Sequence, residues 1–484
     1  MALAFPPLDW GLIVLVALVP LVWAWRDATP AEGALYGFAF GLVYFAIVLE
    51  WSRYFGVFAI VPLVITCAAY PAGAGALLGL YTRHGVRSPF LVAAVWVVFE
   101  ALRGRWPLGG LPWGDVGLGL HDQQWGRALA TWGGVTLVTF LVVALNAWLV
   151  ELGCAVFQRR EGDARGARAM AISLVAVASL LILVLMASVF RPNPTVTGDV
   201  RFALLQANDQ NRDLTTKEIE ANYLTRAHFG QAATLDGRYD LVVLPEGALD
   251  DDPRRSRRLR DKLTDLAARL DAVVVANARS RAPDHELYNA NIVYNPDGSS
   301  QGIYAKQHLV PFGEYVPFRE YLGFVDALDQ VPFDFVPGET RKRFTAGGHT
   351  FESVICFESS FAPLVRDTVR DGAEFLVVST NNRSYRRSGL SAQHVAISQM
   401  RAAETGRPIL HAAISGISAV VEPDGTVRER SELFVNQVTS GTIDTTTGTT
   451  PYVRMGEWVL AGCLLGLLIA AVVGRRRGSR SPQP

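Results

Sequence analysis

Hydrophobic and polar positions divide the chain into two kinds of sequence. Long apolar runs fill most of the first 190 residues and return after about residue 456, whereas residues 191–455 show the mixed pattern of an ordinary globular domain. Each run approaches the length that a helix needs to cross a hydrocarbon core of about 30 Å. We therefore predict seven membrane spans: 9–25, 34–50, 56–80, 89–102, 132–152, 169–190 and 456–474.

The alternative interpretation makes each run a buried helix of a large soluble protein. Seven runs with polar loops between them argue against it, although the short run that contains Glu100 supports a span least. The pattern thus predicts an N-terminal transmembrane helix domain over 1–190 with about six spans. A globular domain over 191–455 follows, and a C-terminal transmembrane helix with a basic tail occupies 456–484.

Within the globular domain, short β-branched runs alternate with amphipathic stretches. Apolar residues recur at helical spacing over 254–270 and 391–406, and two PDG sequences are typical of hairpin turns. Strands that alternate with helices predict a layered α/β or α+β domain. The predicted strands are 200–208, 239–248, 271–280, 289–298, 352–360, 373–382 and 416–425.

Charge decides the predicted orientation and excludes one class of partner. The 45 Lys and Arg residues balance 45 Asp and Glu residues, which leaves no basic surface for nucleic acid. The loop 158–168 and the tail 475–480 are strongly positive, and such segments stay in the cytoplasm. Counting spans from them places 191–455 outside the cytoplasm. The opening MALAFPPLDW then resembles the end of a first span, which would require a further helix upstream.

Three residues of the globular domain stand where a predicted strand ends. They are Glu246 in LVVLPEGA, Lys306 in GIYAKQHLV and Cys356 in VICFESS. A carboxylate, an ammonium and a thiol at neighbouring strand ends can form a base, an electrostatic stabiliser and a nucleophile. The chain has only four lysines, so a lysine in an apolar strand suggests a specific role for its compact ammonium. A buried inert thiol and an exposed strand-end lysine remain the simpler alternatives.

These residues and their surroundings resemble the nitrilase, or carbon–nitrogen hydrolase, superfamily. Together with the membrane spans, the chain resembles the apolipoprotein N-acyltransferase family along nearly its whole length. The motifs that carry the resemblance are GLPWGDVG (110–117), HLVPFGEYVP (308–317), ICFES (355–359) and QMRAAETGRPIL (399–410).

The resemblance implies a fold and a set of roles. The expected architecture is a polytopic α-helical membrane domain plus an α+β nitrilase-like four-layer α-β-β-α sandwich. Glu246 is implied as the general base, Lys306 as the oxyanion stabiliser and Cys356 as the nucleophile. Glu314 and Glu358 match auxiliary glutamates of the family, and their alternative is a solvated carboxylate at a strand end.

Several positions depart from the family pattern. Phe357 stands where the family usually has tyrosine, so a hydroxyl is lost. The loop NNRSYRRSG (381–389) keeps Asn381 and Asn382 but replaces an aromatic pair with basic residues. We expect these three residues, together with Trp113 at the predicted interface, to contribute to substrate binding.

The implied function is an N-acyltransferase that uses a cysteine thioester in a bacterial cytoplasmic (inner) membrane. Its acyl donor would be a phospholipid, and its acceptor the diacylglyceryl-modified cysteine at the N-terminus of an apolipoprotein. No metal or organic cofactor is expected, since no His/Cys cluster with ligand spacing is visible along the chain. The alternatives are a membrane-anchored amidase with the same triad and a non-catalytic lipoprotein-binding protein.

Overall fold

The computed structural model describes residues 1–160, 164–208, 222–281, 286–321, 328, 331 and 333–478. Parts of the two positive segments that support the predicted orientation lie outside the described residues. They are residues 161–163 of the basic loop and 479–480 of the tail. The chain forms two compact units. One comprises Met1–Pro192 and Arg454–Pro484, and the other comprises Asn193–Val453.

Helices make up most of the first unit. The helices of both units are numbered as one series along the chain. The helices are α1 (Val14–Ala17), α2 (Val19–Trp25), α3 (Pro30–Val48), α4 (Val57–Arg83), α5 (Pro89–Arg103), α6 (Gln124–Arg160), α7 (Ala164–Val189), α8 (Tyr223–Ala232), α9 (Arg257–Leu270), α10 (Ala362–Arg370), α11 (Leu390–Thr405), α12 (Pro451–Met455) and α13 (Trp458–Gly478).

Five helices among the described residues are long and apolar enough to cross a membrane. They lie in α3, α4, α6, α7 and α13, and they account for five of the seven predicted spans. The α6 segment departs from helical geometry at Gly133 and Gly134, where two helices meet at a kink. The membrane character expected from the apolar runs is therefore present in the structure.

The other two predicted spans are shorter than expected. Residues 9–25 contain α1 and α2, which are separated at Leu18 because Pro20 has no amide hydrogen with which to continue the helix. At this break the amide of Leu18 donates to Asn146 Oδ1 at 2.9 Å. Helix α5 has 15 residues, or about 22 Å at 1.5 Å per residue, which is less than the hydrocarbon thickness.

Small residues allow α3 and α4 to approach closely. Gly33, Gly37 and Gly41 recur every four residues on α3, so they share one face of that helix. A Cβ atom on Gly37 would lie 2.1 Å from the carbonyl oxygen of Pro71 on α4. Such spacing is typical of helix contacts in membranes, where packing replaces hydrophobic attraction between helices.

Two six-stranded sheets form the second unit, with the strand orders β12-β1-β2-β3-β4-β5 and β11-β10-β9-β8-β7-β6. In each sheet three adjacent strands are parallel, β1–β3 in one and β7–β9 in the other. The strands are β1 (Thr195–Gln206), β2 (Leu241–Leu249), β3 (Val273–Arg281), β4 (Leu287–Tyr294), β5 (Ser300–Ala305), β6 (Arg343–Ala346), β7 (His349–Ile355), β8 (Phe375–Thr380), β9 (Ile409–Ala413), β10 (Ala419–Val421), β11 (Val427–Arg430) and β12 (Gln437–Thr447).

The buried apolar side chains of this unit form three clusters, each between two layers of the fold. One cluster joins the two sheets face to face and includes Phe202 of β1 and Phe351 of β7. A second packs α9 against the first sheet through residues such as Leu263, and a third packs α10 and α11 against the second sheet. The predicted four-layer α-β-β-α sandwich is confirmed.

One predicted strand ends earlier than expected. The sequence predicted extended structure over 352–360, but β7 ends at Ile355 and a 3₁₀ turn occupies Cys356–Ser360. Cys356 has φ of +54°, a left-handed conformation that no strand can continue. The thiol therefore sits on a sharp turn directly after a parallel strand.

Candidate active site

A bulge in β2 positions Glu246. The pairing of β2 with β3 shifts between Leu244 and Leu249, so Pro245–Ala248 have no regular partners in β3. Pro245 cannot donate a ladder hydrogen bond, and Gly247 has φ of +74°, which favours glycine. The bulge thereby redirects the Glu246 side chain, as bulges beside active sites commonly do.

The structure brings Glu246, Lys306 and Glu314 into one buried cluster. Lys306 follows β5, and its Nζ lies 3.3 Å from Glu246 Oε1 and 2.9 Å from Glu314 Oε2. The lysine is 1% exposed. Burial alone would lower its pKa, but the carboxylates of Glu246 and Glu314 more than offset this and raise the pKa well above its ordinary value. Lys306 is therefore a permanent ammonium in this cluster.

Asn289 of β4 organises the two carboxylates and was missed in the sequence. Its Nδ2 donates to Glu246 Oε1 at 2.6 Å and to Glu314 Oε1 at 2.7 Å. Its own side-chain oxygen accepts from Asn277 Nδ2 at 2.9 Å. The alternation of Asn289 and Asn291 within NANIVY was a usable signal, because period two places both on one face of a buried strand.

Two backbone amides complete the hydrogen bonding of the Glu246 and Glu314 carboxylates. The amide of Asn381, just after β8, donates to Glu246 Oε2 at 2.7 Å. The amide of Val310 donates to Glu314 Oε2 at 2.8 Å. Each carboxylate therefore has both oxygens bound, which holds it in a single orientation.

Cys356 is buried next to this cluster and is held as a neutral thiol. Burial and the nearby Glu246 carboxylate raise its pKa to about 12, although Lys306 and a hydrogen bond from Thr380 oppose the shift. Thr380 Oγ1 donates to Cys356 Sγ at 3.4 Å. The carbonyl of Cys356 lies 3.0 Å from His394 Nε2, on helix α11. A thiol of this kind needs a base at the moment of attack.

Glu358, the second predicted auxiliary glutamate, lies fully buried among hydrogen-bond donors. Its Oε1 accepts from Tyr304 OH at 2.9 Å and from the amides of Gln307 and His308 at 2.6 and 3.1 Å. Its Oε2 accepts from the amide of Ile355 at 2.7 Å. These bonds tie the segment after Lys306 to the turn that carries the thiol. Burial raises the pKa of Glu358 to about 7.

The residues predicted to bind substrate occupy different environments. Phe357 is half-buried and packs edge-on against Phe361. Asn382 is buried, and its Oδ1 lies 3.0 Å from the hydroxyl oxygen of Thr380, the residue that also contacts the Cys356 thiol. Trp113 belongs to the other compact unit, where it packs against Trp51.

Tyr385 lies at the edge of the cluster and was not singled out in the sequence. Burial raises the pKa of its phenol, and the neighbouring Cys356 and Glu246 raise this pKa further, while Lys306 opposes the shift. The residue stands in the loop 381–389 that departs from the family pattern. The phenol of Tyr385 therefore lies beside the cluster, whereas Phe357 has no hydroxyl group.

Known protein families match both parts of the chain. A family model for the apolipoprotein N-acyltransferase N-terminal domain matches residues 1–148, and a carbon-nitrogen hydrolase model matches residues 201–452. An apolipoprotein N-acyltransferase of Methylococcus capsulatus is 31% identical over 99% of this chain and 95% of its own length. Another, from Geobacter metallireducens, is 29% identical over 99% and 94%.

A solved structure of a CN-hydrolase superfamily protein from Xanthomonas campestris, with an arsenic adduct in its active site, is also similar. It covers 56% of this chain and 98% of its own, with 20% identity and a TM-score of 0.40. The resemblance found in the motifs is thus confirmed by the relatives over nearly the full length of the chain.

Proposed function

Since the chain belongs to the apolipoprotein N-acyltransferase family, we propose that it transfers an acyl chain from a phospholipid to an apolipoprotein. The acceptor is the amine of the protein's N-terminal diacylglyceryl-modified cysteine. The observation that carries the proposal is the buried Glu246–Lys306–Glu314 cluster beside the Cys356 thiol, in a chain whose described residues include five apolar helices of membrane-spanning length.

The first half-reaction forms a thioester on Cys356. Glu246 takes the thiol proton while Sγ attacks the ester carbonyl carbon, and the carbonyl oxygen becomes an oxyanion that the Lys306 ammonium stabilises. The oxyanion then collapses, the ester C–O bond breaks, and Glu246 returns the proton to the departing lysophospholipid oxygen. Because the thiol pKa is about 12, the base must act during attack.

The second half-reaction consumes the thioester. The neutral amine of the lipid-modified cysteine attacks the thioester carbonyl, Glu246 accepts a proton from the attacking nitrogen, and Cys356 leaves as a thiolate that regains the proton. An amide forms and the thioester C–S bond breaks, so atoms and charges balance without an energy source. Glu314, bound to Lys306 at 2.9 Å, holds the ammonium in place through both steps.

We further propose that the unit Asn193–Val453 lies on the extracytoplasmic face of the membrane. The support is the arginine content of the loop 158–168 and of the tail. A reporter fused after residue 300 in the full chain should be active only outside the cytoplasm, and cytoplasmic activity there would contradict the orientation.

The decisive experiment for the mechanism is intact-mass analysis of the full chain after incubation with a phospholipid of defined acyl length. We expect one hydroxylamine-sensitive acyl adduct, which disappears when a diacylated lipopeptide is added. Cys356→Ala should form no adduct, whereas Cys154→Ala, a matched loss of another free thiol, should form it normally.

Acyl transfer by Cys356→Ala, or the absence of any labile adduct in the natural protein, would overturn the thioester mechanism. Release of the acyl chain as free acid, with no transfer to the lipopeptide amine, would instead make water the acceptor and the protein a hydrolase.

A further inference from the structure

Thr380 is the last residue of β8 and lies beside the Cys356 thiol, where its hydroxyl has more acceptors than hydrogens. Among the described residues, Cys356 Sγ lies 3.4 Å from the hydroxyl oxygen, Asn382 Oδ1 lies 3.0 Å from it and His394 Nδ1 lies 3.3 Å from it. The side chain is fully buried. Because a hydroxyl has one hydrogen, the relative strength of these acceptors decides which bond forms.

The oxygen of the Thr380 hydroxyl is held in place by the strand. The residue pairs with Ala413 of β9, and its carbonyl accepts from the amide of Ile414 at 3.1 Å. A β-branched side chain also has few favourable rotamers. The hydroxyl hydrogen, by contrast, turns about the C–O bond to suit its partners. A change of partner therefore needs rotation of the hydrogen and no movement of the strand.

His394 of α11 keeps the Asn382 amide in one orientation. The carbonyl oxygen of Cys356 lies 3.0 Å from His394 Nε2 and can only accept, so Nε2 carries a hydrogen. Ser359 Oγ, 2.9 Å from the same nitrogen, can accept from it as well. Burial lowers the pKa of His394 to about 4, so the ring is neutral and its Nδ1 accepts. Asn382 Nδ2 lies 3.4 Å from Nδ1 as a donor, which leaves Asn382 Oδ1 facing Thr380.

The charge on the sulfur decides where the Thr380 hydrogen points. A neutral thiol is a weak acceptor, so the hydrogen is shared between Cys356 Sγ and the closer amide oxygen of Asn382. A thiolate is an ionised acceptor, and hydrogen bonds to ionised groups are about twice as strong as neutral ones. The hydrogen therefore turns fully to the sulfur when Cys356 loses its proton.

We propose that Thr380 is a further catalytic residue, whose hydroxyl donates to Cys356 Sγ whenever the sulfur carries negative charge. This role rests on the acyl transfer proposed above. In the first half-reaction the bond strengthens as Glu246 takes the thiol proton, and it weakens as the new S–C bond of the thioester removes the charge. In the second it strengthens again as that bond breaks and the thiolate leaves. Thr380 keeps its hydrogen throughout, so it transfers no proton.

The test compares the natural full chain with Thr380→Val, which removes the hydroxyl and keeps the branched shape, both in detergent micelles. Iodoacetamide alkylation of Cys356 is followed by peptide mass spectrometry between pH 7 and 10, a measurement that needs no acyl donor. Loss of a hydrogen bond to a charged group should slow alkylation about 10- to 100-fold at each pH. The other ionisable groups around the thiol are the same in both proteins: Glu246, Lys306, Glu314, Glu358, Tyr385 and His394.

Two further variants separate the hydroxyl from packing. Thr380→Ser keeps the hydroxyl and should restore most of the alkylation rate. The matched control is Thr368→Val on α10, because Thr368 is also buried and its hydroxyl donates to the carbonyl of Val365 at 2.7 Å. This control should alkylate as the natural protein does. Thr380→Ala removes the same hydroxyl and decides the question if the valine variant fails to fold.

Acyl transfer from phospholipid to a diacylated lipopeptide gives a second measurement. In Thr380→Val, kcat should fall about 10- to 100-fold while the KM for phospholipid stays unchanged, because a bond to charged sulfur contributes to the transition state and not to substrate binding. If the natural chain transfers no acyl group, the proposed function is wrong, and the alkylation rates still decide whether the hydroxyl stabilises the thiolate.

Alkylation of Thr380→Val at the natural rate across the pH range would overturn the inference, since the hydroxyl would then make no bond to the charged sulfur. Equal slowing in Thr380→Ser would overturn it as well, because the lost rate would follow from the missing methyl group.

Discussion

Asn289→Asp should convert the proposed active site into one that works only at low pH. The substitution keeps the shape of the side chain but replaces its donating amide with a carboxylate, beside Glu246 and Glu314. The natural contacts are 2.6 and 2.7 Å. Two carboxylate oxygens cannot remain this close while both are charged, so the new acid must hold a proton to restore either bond.

The magnitude follows from these distances. Two unit charges 2.6 Å apart repel by about 6 kcal/mol at an effective dielectric constant of 20. At 1.36 kcal/mol per pH unit, one such neighbour raises the pKa of the new acid from about 3.9 to about 8. Below that pH the protonated acid can donate one of the two original bonds. Above it, none remains and the orientation of Glu246 is lost.

The assay is transfer of a labelled acyl chain from phospholipid to a synthetic diacylated lipopeptide between pH 6 and 9.5. We expect the variant to be about 10-fold slower than the natural protein at pH 6, for one lost bond of about 1.4 kcal/mol. It should fall a further 10- to 100-fold or so through pH 8. Asn295→Asp, near the turn after the same strand, is the matched control and should follow the natural profile.

A constant ratio between variant and natural protein across this pH range would refute the reasoning. It would mean that Asn289 does not control the Glu246 carboxylate during catalysis. Thermal midpoints measured at both ends of the range separate this result from unfolding of the variant.

Three further predictions test other parts of the site. Lys306→Arg should reduce acyl transfer by about 10²–10³, because a planar guanidinium does not fit between two carboxylates at 3.3 and 2.9 Å; the exposed Lys342→Arg is its control, and near-normal turnover would contradict the role. Iodoacetamide alkylation of Cys356 should accelerate steadily through pH 10, since burial raises the thiol pKa to about 12. A plateau by pH 8 would show a thiolate already formed. Burial also raises the pKa of Glu358 to about 7, above an ordinary value of 4.5, so its contribution to stability is complete below pH 4.5 and is lost as the pH rises through 7. Glu358→Gln should remove that fall in thermal midpoint between pH 5 and 8, and an unchanged fall would assign it to other groups.

Local patterns in the sequence were enough to predict the architecture. Membrane helices and strands are encoded by the length and period of their apolar residues, which depend on neighbours a few positions away. Five of seven predicted spans and the layered sandwich follow from such patterns. The break at Leu18 was missed although Pro20 marks it in the sequence, and the break after Ile355 was missed because residue type does not specify the left-handed conformation of Cys356.

The principal residues of the candidate site were also visible in the sequence, since Glu246, Lys306, Glu314 and Cys356 lie in short motifs. Their arrangement was not. That Lys306 binds Glu246, which lies 60 residues earlier in the chain, depends on the β2 bulge and on the register of β4 with β5. Sequence motifs identify the chemical groups, whereas strand register determines which of these groups lie next to one another.

Only the tertiary structure revealed Asn289 between the two carboxylates and the four donors around Glu358. The alternation of Asn289 and Asn291 signals a polar face, but it does not say which groups that face meets. Each acquires a role because folding brings distant polar groups into a buried place, where an unpaired group costs about 1–3 kcal/mol. The sequence by itself determined the periodicities and the reactive groups, and packing decided which polar atoms had to satisfy one another.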